Sequence, residues 1–282
     1  VKKLLLLPLL ALAFLWRVQV QVPTPLATAS SGVEIQFIAN EGYFVTGGGK
    51  KALVDALFRE GVEGYDTVPP ATRELTEQAR APFDKVDLAL ASHHHADHFD
   101  AAAVAAHLQN NPAALFVSTN QAVEKLKAVK DFGARARGVA PKEGERAVIT
   151  HNGIRLEVFY LHHGRSRPVE NLGLLFRVGG KKFLHIGDTE ANAADFRQYN
   201  LPADKIDVAF VPYWFLLGEE GKKSVRENIA AKHVVPIHMP LNSDLDTSVT
   251  KRGGWDKVLQ GIKKEFPDAI ILRQVLEKAT LE

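Results

Sequence analysis

At 282 residues, 46% of them hydrophobic, the chain is long enough to bury a large core as one α/β domain. It contains no cysteine, which excludes disulfides, thiolate metal sites and cysteine nucleophiles, so any metal must be held by His, Asp or Glu. With 35 Lys and Arg against 33 Asp and Glu the formal charge is only +2, too small a surplus to supply the basic face of a nucleic-acid binder.

The first segment has the layout of a secretory signal: Lys2 and Lys3, an apolar run from Leu4 to Trp16, and small residues Ala27-Thr28-Ala29 flanking a cut. The run is shorter than the roughly 20 apolar residues that span a bilayer, and Pro8 and Arg17 argue further against a spanning helix. An uncleaved N-terminal anchor is the other reading. Cleavage after Ala29 divides the chain into a signal peptide over residues 1–29 and one domain over residues 30–282, periplasmic or secreted and without a stable membrane anchor. It removes three cations and no acid, taking the formal charge from +2 to −1.

Val33 to Ile38 alternates apolar and polar residues as a half-buried strand does, and Gly42 to Thr46 follows it after the Asn40-Glu41 turn. The glycine turn Gly47-Gly48-Gly49 leads into a third strand, Lys51 to Asp55, so the chain opens as an antiparallel meander. Asp55 stands at a strand end, where an acid is either a capping group or a support that orients a ligand histidine. Residues 58–84 read as a long loop rich in Gly and Pro, with a helix from Ala71 to Ala79, either lying over the site or a plain surface excursion.

An apolar strand, Val86 to Ala91, then runs into Ser92-His93-His94-His95-Ala96-Asp97-His98, and Asp100 can cap a helix beginning at Ala101. Five potential ligands thus fall within six residues on a strand-to-helix loop. Such a loop can aim several side chains at one point while the strand and helix hold its backbone still. Neutral imidazole and carboxylate are the ligands that zinc takes when no thiolate is offered.

Strand 114–117 and helix 120–129 continue a βαβα rhythm. A second run of strands, 147–149, 155–161, 172–178 and 182–186, echoes the first. Gly48-Gly49-Lys50-Lys51 reappears as Gly179-Gly180-Lys181-Lys182, and each copy closes a meander and ends on an acid, Asp55 or Asp188, which implies two similar halves. Strand 208–211, helix 225–232, strand 234–237, helix 255–264 and strand 269–272 complete the second half. His163, Asp188 and His238 each lie just beyond an apolar strand. A lone histidine there is usually structural; three such positions downstream of a dense cluster point to one site. His162 replaces His163 if that strand slips by one residue.

His93-His94-His95-Ala96-Asp97-His98 matches H-x-H-x-D-H, and His163, Asp188 in Gly187-Asp188-Thr189, His238 in Pro236-Ile237-His238, and Asp55 follow the remaining motifs of the same pattern. Over about residues 33–272 the chain resembles the metallo-β-lactamase superfamily of metallohydrolases. The resemblance implies a four-layer αββα sandwich of two mixed sheets and a dinuclear site. His93, His95 and His163 would hold one ion, Asp97, His98 and His238 the other, and Asp188 would bridge them, with Asp55 supporting a ligand from behind. The cofactors it implies are two divalent ions, zinc first, with iron or manganese as other occupants. Similarity to members carrying His-Gly at this point favours His163 over His162, and His94 falls at the variable position.

Two such ions can bring the pKa of bound water from 15.7 towards about 7, giving a hydroxide nucleophile, with Asp97 and Asp188 steering its proton. The Asn40-Glu41-Gly42 opening and Asn171-Leu172-Gly173 most resemble the branch of ascorbate-phosphate lactonase-like and uncharacterised hydrolases. This implies cleavage of an ester, lactone or phosphoester bond in a small-molecule substrate. Arg165, Arg167 and Asn171, on the loop after His163, are candidates for holding an anionic or carbonyl group, and Tyr213, Trp214 and Phe215 for an apolar wall. A β-lactam amide hydrolase, an iron-dependent redox enzyme on the same scaffold and a metal-binding protein without turnover are the alternatives. A tRNA-processing nuclease is disfavoured by the export signal and the near-neutral mature charge.

Overall fold

The computed structural model describes residues 32–166 and 168–282; the expected signal segment and Arg167 lie outside the described residues. The chain opens with β1 (Val33–Ala39), β2 (Gly42–Gly47) and β3 (Lys50–Val54), the expected meander, followed by α1 (Pro70–Glu77), β4 (Leu88–Leu90), α2 (Ala101–Asn110), β5 (Leu115–Ser118), α3 (Asn120–Val129) and β6 (Ala136–Gly138). The second half runs β7 (Ala147–His151), β8 (Ile154–His162), β9 (Glu170–Val178), β10 (Lys181–His185), α4 (Ala193–Arg197), β11 (Val208–Pro212), α5 (Glu219–Ser224), β12 (His233–Ile237), α6 (Thr247–Thr250) and α7 (Trp255–Glu265). A last strand, β13 (Lys278–Leu281), returns to the first half.

One sheet has the order β13-β1-β2-β3-β4-β5-β6 and the other β12-β11-β10-β9-β8-β7. Both are mixed: each starts as antiparallel hairpins and continues with parallel strands. Apolar side chains of the two sheets form the central core, including Val45, Leu88, Phe176, Phe183 and Phe210. A second cluster lies between the first sheet and α1 to α3, and a third between the second sheet and the later helices, giving helix, sheet, sheet, helix. Tyr43 of β2 and Phe210 of β11 stack across the central layer at 4.5 Å between ring centroids, a pairing worth about 0.5–1.5 kcal/mol beyond its buried area.

The echo between the halves is a structural one. The β2–β3 turn at Gly48-Gly49 and the β9–β10 turn at Gly179-Gly180 all have positive φ, and a Cβ added at Gly179 would sit 3.1 Å from the Gly47 backbone. The two hairpin tips therefore pack against each other, and only glycine permits the approach.

Two expected elements are corrected. Residues 269–272 form no strand; Ile270 makes a single backbone bond to Val234, and the edge position beside β1 goes to β13, which pairs Ile35 with Ala279. The periodicity of residues 225–232 belongs to a helix that begins at Glu219, passes into a π turn over Val225–Ile229 and stops at Ala230 in left-handed conformation.

Candidate metal centre

The parallel strands end on one side of the sandwich, and the site is built from the residues just beyond those ends. Asp55 follows β3, Ser92 to His98 follow β4, His163 follows β8, Asp188 follows β10 and His238 follows β12. The β1–β2 turn adds Asn40 and Glu41. Backbones turn sharply here: Asn40, Asp55, Gly187 and His238 have φ of 50°, 45°, 55° and 56°. For the three that are not glycine this conformation costs roughly 1–2 kcal/mol each, strain of the kind that concentrates at functional sites.

The expected ligands converge. His93, His95, His163 and Asp188 offer donor atoms within 4.8 Å of one another, and Asp97, His98 and His238 do the same. Asp188 Oδ2 lies at the middle, 3.4 Å from Nε2 of both His163 and His238, 3.6 Å from His98 Nε2 and 3.9 Å from His93 Nε2. Asp97 Oδ2 is 3.4 Å from His238 Nε2 and 3.6 Å from His98 Nε2. These separations are too long for good hydrogen bonds. They match the edge between two ligands of a tetrahedral ion, about 3.3–3.6 Å for bonds of about 2.0–2.2 Å.

Unpaired buried atoms make the same point. Nε2 of His98 and of His163, Oδ1 of Asp188 and both carboxylate oxygens of Glu41 are buried without a hydrogen-bond partner. Leaving several such groups unsatisfied is costly unless a cation completes them. A donor set of imidazole nitrogens and carboxylate oxygens fits zinc, iron or manganese.

Behind these groups a hydrogen-bond network fixes their orientation. Asp55 accepts from Ser92 N at 2.6 Å, from the Ser92 hydroxyl at 2.6 Å and from His98 Nδ1 at 2.8 Å. Because its hydroxyl proton goes to Asp55, Ser92 Oγ accepts from His93 Nδ1 at 3.0 Å. Both histidines thereby keep Nδ1 as the donor to the network and turn Nε2 toward the centre, where His93 Nε2 lies 3.0 Å from His95 Nδ1. Asn40 Nδ2 donates to Asp97 Oδ2 at 3.1 Å. His185 Nδ1 accepts from Gly187 N at 3.2 Å, so its Nε2 donates to the Glu41 carbonyl at 3.1 Å, tying the β1–β2 turn to the Asp188 loop.

The charge pattern divides the imidazoles. Burial and the neighbouring His98 hold His93 well below the usual histidine range, and burial with His163 lowers His95 to about 4. Burial opposes the charge of His98, but Asp188, Asp55 and Asp97 outweigh it and raise the group well above its ordinary value. His238 is raised to about 10 against burial by Asp188 and Asp97. Asp188 and Asp97 are held far down by the same imidazoles despite their burial. Burial and then Asp188 push Glu41 well up.

The other candidates are distributed unevenly. His94 belongs to neither donor group, and His162 turns away, with Nε2 3.1 Å from Glu143. Arg165 is paired with Asp195 and lies 4.0 Å from Glu190, so its charge is already matched. Asn171 is fully buried and donates to the Ile186 carbonyl at 3.1 Å, bracing the end of β10 instead of facing substrate. Tyr213 is buried with its hydroxyl bonded to Asp246, and Phe215 is core. Trp214 does reach the site: its ring lies 5.4 Å from His238 and it lines a cavity of about 450 Å³ with His163 and Asp188. A second cavity of about 450 Å³ opens on the other flank, lined by Val62, Tyr65, His95, Asp97 and His238.

Sequence reading overlooked Asn40, Glu41, Ser92 and Tyr65 as site residues. The signal for Asn40 and Glu41 was a polar pair buried between two strongly apolar strands; Tyr65 lay in a loop with no periodicity to place it.

Residues 51–245 match a family model described as "Beta-lactamase superfamily domain". A relative named "UPF0173 metal-dependent hydrolase", from Pelotomaculum thermopropionicum, is 27% identical over 220 residues, covering 73% of this chain and 84% of its own. An isothiocyanate hydrolase from Delia radicum gut bacteria has a similar structure, with TM-score 0.60 and 17% identity over 87% of this chain and 98% of that one. So has CmlA, a diiron β-hydroxylase from Streptomyces venezuelae, with TM-score 0.57 and 13% identity over 89% of this chain and 54% of that one. At these identities the structural likenesses establish the fold alone, which is the metallo-β-lactamase fold.

Proposed function

Since the chain belongs to the beta-lactamase superfamily, we propose that it is a metal-dependent hydrolase working on a small-molecule ester, lactone or phosphoester. The observation that carries this reading is the set of 3.4–3.6 Å separations between Asp188, Asp97 and the three imidazoles of His98, His163 and His238. In this reading His93, His95 and His163 hold one divalent ion, Asp97, His98 and His238 a second, and Asp188 reaches both. The carboxylates of Asp55, Asp97 and Asp188, with Glu41 buried beside them, would offset the charge of two dications. Zinc suits the donor set best, with iron or manganese next.

Two such ions supply water with a pKa near about 7 and an electrophile for the developing oxyanion. The protein does the rest. Asp55, through Ser92 and His98, fixes which imidazole nitrogen faces the centre, and Asn40 fixes the Asp97 carboxylate. Asp97 and Asp188, deprotonated at neutral pH, would accept a hydrogen bond from the attacking water and so steer its proton. No side chain near the centre has to act as a covalent nucleophile.

Export to the periplasm or beyond belongs to the same proposal and is supported by Lys2, Lys3 and the apolar run to Trp16. Among the described residues no helix is long and apolar enough to cross a membrane. Cavities of about 450 Å³ suit a small molecule better than a polymer. A panel of esters, lactones and phosphodiesters, assayed before and after chelation and again after metal is restored, tests the reading: hydrolysis must come and go with the metal.

A further inference from the structure

We propose that the substrate is an uncharged ester or lactone whose apolar arm lies against a rim made by Val62, Tyr65, Leu241 and Leu245; this rests on the hydrolase reading above. Six large hydrophobic side chains are well exposed among the described residues, and three of them, Val62 at 50%, Leu241 at 48% and Leu245 at 52%, lie on two loops that come together at Gly64. They are brought together by contacts between two loops distant in sequence. The Gly64 carbonyl accepts from Leu241 N at 2.9 Å, and Leu245 Cδ1 sits 2.4 Å from where a Cβ on Gly64 would be. With φ of +91° as well, only glycine lets Leu245 seat there.

The rim is continuous with the metal centre. Val62 and Tyr65 line the same cavity as Asp97, Asp188 and His238, and the Tyr65 ring meets His238 edge-on at 4.7 Å. An apolar surface exposed beside reactive groups marks where substrate lies.

The charge of the lining argues against an anionic group on the substrate's arm. Among the described residues lining the two cavities there is no Lys or Arg, while Asp97, Asp188 and Glu190 contribute negative charge. Among the described residues, Arg165 is committed to Asp195, and Arg59 to both carboxylate oxygens of Glu77 at 2.8 and 2.7 Å. A phosphate or sulfate group carried on the arm of the substrate, away from the ions, would meet acids and apolar carbon, with no lysine or arginine among the described lining residues to receive it.

The test uses the metal-loaded protein and compares kcat/KM for p-nitrophenyl acetate, butyrate and hexanoate with that for bis-p-nitrophenyl phosphate. The esters should gain about 2–4-fold per added methylene, as an acyl chain being drawn out of water does. Val62→Asp and Leu241→Asp, both at exposed positions that folding tolerates, should flatten that slope. A flat series in the parent protein, an equal slope in both variants, or faster cleavage of the phosphodiester than of every ester overturns the proposal and leaves the hydrolase reading standing. If the metal-loaded protein turns over neither class, the hydrolase reading itself falls.

Discussion

Asp55 Oδ2 lies 2.8 Å from His98 Nδ1, and both side chains are fully excluded from solvent. The carboxylate fixes the proton on Nδ1 and so turns the lone pair of Nε2 toward Asp97 and Asp188. Asparagine in place of Asp55 tolerates the positive φ of this position but has one acceptor oxygen for three donors, Ser92 N, Ser92 Oγ and His98 Nδ1, and sets an NH2 against one of them. Asp55→Asn should keep the fold and weaken metal binding by about 10–100-fold, read by competition against a chelator of known affinity. Unchanged affinity would remove Asp55 from the account.

Asp188 is the carboxylate common to both halves of the centre. Replacing it with alanine takes away the oxygen that lies within 3.9 Å of four imidazoles. Asp188→Ala should lower metal content and reduce turnover by roughly 10³-fold, the scale of several kcal/mol of lost transition-state stabilisation. Metal content by mass spectrometry and steady-state rates on one preparation check this. A variant retaining full metal and rate contradicts it.

Metal uptake should expel protons. His98 and His238 are raised, His238 to about 10, so without metal both carry protons at neutral pH that a cation must displace. The sign follows: affinity increases as pH rises from 6 through 8, and the share of the slope due to His238 fades only above about 10. His93 and His95, lowered by burial, are neutral across this range and contribute no slope. Calorimetry in buffers of different ionisation enthalpy counts the protons released; a pH-independent affinity with none released contradicts the assignment.

Gly187, just before Asp188, has no room for a side chain. A Cβ there would stand 2.2 Å from Asn171 Oδ1 and 2.7 Å from Ser92 Cβ, at a φ of +55°. Gly187→Ala should cost about 2–4 kcal/mol, seen as a lowered Tm in a circular-dichroism melt, and should also misplace Asp188. A melt unchanged from the parent would show that the loop relaxes freely.

Much of this arrangement was legible in the sequence because strand ends are legible. Apolar runs such as Phe183 to Ile186 stop abruptly at an acid or a histidine, and the spacing of His93 to His98 fits one loop. What was hidden depends on tertiary approach. Glu41 and Asn40 look like ordinary hairpin turn residues, and only the fold brings that turn beneath Asp97. Arg165 and Asn171 looked available for substrate because nothing in the sequence shows Asp195 or the Ile186 carbonyl meeting them. The strand expected at residues 269–272 has the right composition, but it makes one backbone bond to β12, from Ile270 to Val234, and no ladder; β13 was missed because Lys278 and Thr280 give little apolar signal.

In the proposed function two divalent ions, held by seven side chains where the two halves meet, carry the hydrolysis. The most direct measurement is the metal content per chain of the purified protein, taken with ester hydrolysis in the same sample before chelation, after it and after metal is restored. The account requires two ions per chain, loss of hydrolysis on their removal and its return on their replacement. Full hydrolysis by the metal-free chain would contradict it.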